Sequence, residues 1–137
     1  MAYYGAEQFG KVILSDGPYR TPDDLYSALR RCWRAETCAP RMRNNWTPEN
    51  PTLGQCSITA FLVQDIFGGK VYGIPRSGGS FHCFNAVGDC VFDLTSEQFG
   101  GEPLNYSDCP EQFREVHFAK AEKKERYEKL KALLSQL

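Results

Sequence analysis

Between Gly54-Gln55 and Gly68-Gly69 the chain reads Cys56-Ser-Ile-Thr-Ala-Phe-Leu-Val-Gln-Asp-Ile-Phe67, a run that is apolar nearly all round. A helix without a polar face is covered on most sides by the rest of its domain, and a glycine pair is a natural C-terminus for it. The chain has 137 residues, enough for one hydrophobic core and too few for two. The run is therefore expected to be the central buried helix of a single domain spanning residues 1–137, with the other elements built around it.

Those elements are short. Lys70 to Ile74, Phe81 to Val87 and Cys90 to Leu94 are rich in β-branched and aromatic residues and read as strands. The Gly88-Asp89 turn joins the last two as an antiparallel hairpin. Arg114 to Phe118 reads as an edge strand, and Val12 to Leu14 as a further short one. Ahead of the central helix, Thr21-Pro22-Asp23-Asp24 carries N-terminal helix signals. Leu25, Leu29, Cys32 and Trp33 continue at helical spacing to about Glu36. Thr37 to Leu53, with three prolines and three asparagines, reads as a long irregular loop of the kind that often carries function. The N-terminal residues are expected to be flexible. From about residue 119 to 136 a closing helix is expected, with Tyr127, Leu130, Leu134 and Leu137 as its buried stripe.

From Lys120 onward six Lys or Arg face three Glu, which fits the solvated face of that helix better than a nucleic-acid or lipid contact. Over the whole chain 16 basic and 17 acidic residues leave a net charge of −1. That balance argues against a dedicated nucleic-acid or membrane-surface binder. No stretch approaches the roughly 20 apolar residues of a membrane span. The opening Met-Ala-Tyr-Tyr-Gly-Ala-Glu lacks the pattern of a secretory signal, so a cytoplasmic location is expected.

Six cysteines stand out in a chain with two histidines. In a reducing compartment they are packing residues, metal ligands or a nucleophile rather than three disulfides. Cys56 is the one placed at the first turn of a strongly apolar helix, where the dipole and free N–H groups favour a thiolate. Its own backbone N–H, with Gln55 or a loop side chain such as Trp46 or Asn45, is a candidate oxyanion site. His82 lies on the strand from Phe81, and the register set by the Gly88-Asp89 turn puts it opposite roughly position 95, close to Asp93. Asp93 would then orient the imidazole toward Cys56 as a general base. Asn85 is the competing orienting residue, but three positions along the same strand it faces the other side of the sheet. His117 is set aside.

Two other readings use the remaining thiols. Cys32 and Cys38, with Cys83, Cys90 and the adjoining His82, could hold zinc, although no Cys-x-x-Cys pair is present and neighbouring strand residues face opposite ways. Cys83 could also act as a resolving thiol for Cys56 in a redox role. Otherwise Cys32, Cys38, Cys83, Cys90 and Cys109 are expected to pack in the domain.

The order Gly54-Gln55-Cys56, His82, Asp93-Leu94-Thr95 resembles the transglutaminase-like branch of the papain-like fold. The longer run Trp46-Thr-Pro-Glu-Asn-Pro-Thr-Leu-Gly-Gln-Cys-Ser-Ile-Thr-Ala, followed by Gln64-Asp-Ile-Phe-Gly-Gly69, His82-x-x-Asn85 and Asp93-Leu-Thr-x-x-Gln98-Phe99, resembles the small uncharacterised bacterial family called YunG. With Arg126-Tyr127 and the closing helix, the likeness runs from about Trp33 to the end. It implies an α+β fold with a papain-like, transglutaminase-like core, in which a nucleophile helix packs on a small antiparallel sheet. It also implies a possible triad of Cys56, His82 and Asp93. The function expected is thiol-dependent hydrolysis or acyl transfer on a small-molecule or peptide acyl substrate, without cofactor or metal. A binding module that keeps the scaffold without turnover is the alternative. Oligomeric state is open.

Overall fold

The run from Cys56 to Phe67 is helical in the computed structural model, which describes residues 2–137. In chain order the elements are α1 (Ala6–Phe9), α2 (Pro22–Leu29), α3 (Cys56–Phe67), β1 (Lys70–Pro75), β2 (Phe81–Val87), β3 (Cys90–Phe92), β4 (Glu111–Gln112), α4 (Arg114–His117) and α5 (Ala121–Ser135). The architecture is α+β, with one four-stranded antiparallel sheet in the order β3-β2-β1-β4.

Helix α3 is buried on nearly every side, from Ser57 through Val63 and again at Phe67. Gly68 and Gly69, at φ of 78° and 76°, end it and turn the chain into β1. One of its sides lies on the sheet, where Asn85 of β2 donates from Nδ2 to the Ala60 carbonyl at 2.9 Å. Asn85 thus holds the helix to the sheet and does not contact His82's partner Asp93. On another side lies α5, with Tyr127, Leu130 and Leu134 buried. Fully burying a leucine such as Leu130 contributes about 1.5–3 kcal/mol. Leu137, expected in the same stripe, is exposed beyond the helix end.

Thr21 caps α2 as expected, its hydroxyl accepting from Asp24 N while the Asp24 carboxylate accepts from Thr21 N. The helix stops at Leu29 rather than near Glu36. A tight turn then tucks Cys32 and Trp33 into the core, and the Trp33 indole donates to Thr59 Oγ1 of α3 at 2.9 Å. A turn can supply the same buried positions as a helix face, which is why the periodicity overran. The loop from Thr37 to Leu53 holds a 3₁₀ stretch over Pro40–Asn45.

Three strand expectations fail. Arg114 to Phe118 is mostly the helical turn α4; the Arg114 guanidinium is drawn to Asp65 at 2.8 Å and to Gln64 on α3, and the edge strand is the preceding Glu111–Gln112. Val12 to Leu14 is a loop. Strand β3 stops at Phe92 because Asp93 turns its carboxylate onto Thr95 N, which bends the chain away from the ladder. The N-terminal segment packs on the domain: Tyr3 is buried, and Tyr4 bridges to Asp93 through its carbonyl.

Gly54 sets the entry to α3. Its φ is +70°, and a Cβ there would lie 2.6 Å from Cys38 Sγ and 2.9 Å from Ala39 N. Gly54→Ala is expected to lower stability by at least about 1–2 kcal/mol, the cost of a left-handed backbone for an ordinary residue, read as a reduced urea midpoint at unchanged m-value.

Candidate active site

Where the N-terminus of α3 meets the start of β2, a cleft of about 850 Å³ opens, with Cys56, His82, Gln98, Phe99, His117 and Lys123 among its lining residues. Cys56 is partly exposed there, its Sγ 3.8 Å from the Phe81 carbonyl oxygen. The first-turn N–H groups of α3 have no partner within the helix, so the sulfur sits at the positive end of the dipole.

Strands β2 and β3 pair with Asn85 opposite Phe92 and Val87 opposite Cys90. Carried past β3, that register puts Asp93 opposite Phe84 and diagonal to His82, and the two side chains meet, Nε2 to Oδ2 at 2.6 Å, with both residues buried. Asp93 accepts from three further donors: Tyr106 Oη at 2.8 Å on Oδ2, and Thr95 N and Oγ1 at 3.2 and 3.3 Å on Oδ1. Tyr106 is in turn stacked on Tyr4, with ring centroids 3.8 Å apart. Burial and the Asp93 charge push the Tyr106 phenol far up, so it serves as a fixed neutral donor. With Nε2–H committed to Asp93, Nδ1 is the remaining ring nitrogen; it is buried and has no hydrogen-bond partner among the described residues. Phe99 stands edge-on to the ring, centroids 4.6 Å apart, and Arg76 caps Phe99 from outside while pairing with Glu102.

The charges follow from these contacts. The Cys56 thiol is held well below its ordinary range by a hydrogen bond from Cys83, and, against the opposing effect of burial, by His82. Cys83 is pushed well up by the same hydrogen bond and by its own burial, and so stays a thiol. Burial disfavours the His82 imidazolium, but Asp93 and Cys56 outweigh it and raise the group to about 10. Both shifts run in the direction of a Cys56 thiolate beside a His82 imidazolium, with Asp93 bonded to the ring.

The supporting residues expected from the sequence lie elsewhere. Gln55 is fully buried and donates from Nε2 to the Arg34 carbonyl at 3.1 Å, so its side chain ties the α3 entry to the turn after α2 instead of reaching the cleft. Trp46 donates to the Pro51 carbonyl at 3.0 Å and does not line the cleft. Neither side chain is placed to serve an oxyanion, which leaves the backbone N–H groups at the start of α3. Gln98 bridges the two halves of the site, accepting from Gly54 N and donating to the Thr95 carbonyl. It stands in the Asp93-to-Phe99 motif, the one signal that could have marked it. His117, set aside on sequence, faces the cleft: Nε2 donates to Gln112 Oε1 and Nδ1 accepts from Lys123 Nζ, both at 2.9 Å. Gly73 makes room for this group, since a Cβ there would meet the Gln112 side chain at 2.8 Å. Nothing in the sequence pointed to Tyr106 or Lys123.

All six cysteines are free thiols. Among the described residues no cluster of three or more His, Cys, Asp or Glu side chains is arranged to hold a metal ion. Among the described residues no helix is long and apolar enough to cross a membrane.

Compared with known proteins, residues 21–137 match the family model described as "YunG protein". The chain is similar to "Uncharacterized protein YunG" of Bacillus subtilis (strain 168), at 37% identity over 107 residues, covering 78% of this chain and 85% of that protein. No solved structure matches it. With the family model covering the whole sequence from α2 onward and the B. subtilis relative agreeing, the chain belongs to the YunG family.

Proposed function

We propose that the protein is a thiol-dependent acyl-transfer enzyme, a hydrolase or transferase, in which Cys56 is the nucleophile, His82 the proton carrier and Asp93 its orienting group. The observation that carries this reading is the 2.6 Å contact between buried His82 Nε2 and Asp93, which leaves Nδ1 for the cysteine across the cleft. A buried carboxylate with four donors is an expensive arrangement for packing alone, and it fits the triad logic of a nucleophile, a base and an orienting group. A cysteine at a helix start, with histidine on one strand and aspartate just past the end of the adjacent antiparallel one, is also what supports reading the core as papain-like and transglutaminase-like. A reducing, cytoplasmic setting suits an enzyme whose sulfur must remain a thiolate.

The chemistry runs in two halves. The Cys56 thiolate adds to the acyl carbon of an amide or related substrate, and first-turn N–H groups of α3 receive the oxyanion. His82 gives its Nδ1 proton to the leaving amine, the carbon–nitrogen bond breaks, and a thioester on Cys56 remains. Water or an amine then attacks the thioester as His82 takes its proton, and the thiolate departs. Throughout, Asp93 keeps Nε2–H engaged and stabilises the positive ring.

Alkylation by iodoacetamide with mass mapping tests the thiolate. Cys56 is expected to label selectively below pH 7, with a rate already flat where ordinary thiols are still rising toward about 8.5. His82→Ala is expected to cut that rate at pH 7 about tenfold or more, since a free cysteine is only a few per cent thiolate there. Labelling of wild-type Cys56 no faster than an exposed model thiol defeats the proposal. Asp93→Asn is expected to move the His82 titration down from about 10, followed by imidazole NMR signals.

Stability should show the same pair. His82 is raised in the folded state, so its contribution is full below about 6.5 and is lost as pH climbs toward about 10. Cys56 is lowered, so its contribution is full above about 8.5 and is lost as pH falls through its folded value. Between about 6.5 and 8.5 the two slopes cancel. Relative to the Cys56→Ala/His82→Ala double variant, wild-type stability by urea titration is therefore expected to be flat in that window and to fall on both sides of it. A difference that rises steadily with pH contradicts the ion pair.

A further inference from the structure

The walls of the cleft are unevenly charged. Five basic side chains line it, Arg41, Arg76, Lys120, Lys123 and Arg126, against the single acid Glu122. Two of the five are already engaged: Arg76 pairs with Glu102, and Arg126 pairs with Glu122 and donates to the Thr37 carbonyl. Among the described residues Arg41, Lys120 and Lys123 have no carboxylate partner. Lys123 is the informative one, because it is half-buried. Its one side-chain partner is His117 Nδ1, at 2.9 Å. That ring already donates from Nε2 to Gln112, so it offers a neutral lone pair and no counter-charge. Burial and the neighbouring Lys123 hold His117 down at about 4. An ammonium has three donors, and withdrawing one from water without an anion is costly. Lys123 and Cys56 line the same cleft, so a group resting on the cation belongs to the same ligand that meets the sulfur.

We propose that the acyl substrate carries a carboxylate, received by Lys123 inside the cleft and drawn in by Lys120 and Arg41 at its mouth. This rests on Cys56 being the nucleophile and adds the substrate's charge class. Lys123 is then a specificity-determining residue, held in place by the His117–Gln112 relay from the sheet edge. The anion completes the pairing that the fold leaves open.

Two alkylating agents of nearly equal size separate the charge question from the nucleophile question. Iodoacetate and iodoacetamide react alike, the thiolate attacking the methylene carbon as iodide leaves, but only the first carries a carboxylate. In the wild type, Cys56 is expected to prefer iodoacetate, with a rate that saturates. The His82 imidazolium also favours an anion, so the decisive comparison is with variants. Lys123→Gln is expected to lower the iodoacetate rate about tenfold, the equivalent of ~1.4 kcal/mol, while the iodoacetamide rate stays within about twofold. Lys123→Arg is expected to restore the preference. In the unmodified protein, succinate should protect Cys56 from iodoacetamide saturably where succinamide does not, a measurement that requires no variant. Equal slowing of both reagents in Lys123→Gln, or equal protection by succinate and succinamide, overturns the carboxylate site while leaving Cys56 as nucleophile. Slow labelling of wild-type Cys56 by both reagents overturns the nucleophile and the substrate class together.

Discussion

Burial of a helix that has no polar side is the constraint on which everything else in this molecule depends. Helix α3 is covered by the sheet and by α5, with Trp33 and Asn85 bonded to Thr59 and Ala60. A rod held along its length has one end left for chemistry. The left-handed Gly54 and the inward-turned Gln55 fix how the chain enters that end. The sulfur of Cys56 is thereby placed by the core itself, although it is reached from the cleft.

The polar part of the site is built as a chain of single-purpose contacts. Asp93 is saturated by its donors, so its carboxylate has little freedom to move. Of the two ring nitrogens of His82, one is thereby committed and the other left open. Cys83 adds a thiol that donates and does not compete for the negative charge. Across the cleft, His117 is arranged the opposite way, with both nitrogens committed and the ring kept neutral. Two histidines a few side chains apart are thus pushed in opposite directions, one by a buried carboxylate and one by burial beside a lysine.

Much of this was legible from local rules. A two-residue turn at Gly88-Asp89 determines strand register, and register brings Asp93 to a position diagonal to His82. An apolar run between glycines marks a buried helix, and its first residue is the cysteine. Other parts follow from long-range packing that no short window carries. Tyr106 reaches Asp93 from a segment without periodicity. Lys123 and His117 enter the cleft only because two residues, Glu111 and Gln112, pair with β1 and the chain then coils into α4. The alternation in Arg114 to Phe118 resembled a strand, yet the pull of Asp65 on Arg114 decided the outcome. Gln55 looked like a donor to the substrate because it adjoins the cysteine, but the backbone at Gly54 aims it at Arg34.

The segment before α2 lies ahead of the part of the chain that matches the family model, which begins at residue 21. Yet Tyr3 from that segment is buried in the core, the Tyr4 carbonyl accepts from Asp93 N, and the Tyr4 ring backs Tyr106. The border drawn by family likeness and the border of the cooperative folding unit therefore do not coincide. A protein trimmed to the first border would retain Cys56, His82 and Asp93 but lose the brace behind the carboxylate. In this chain part of the bracing of the acid comes from a stretch that family likeness leaves out.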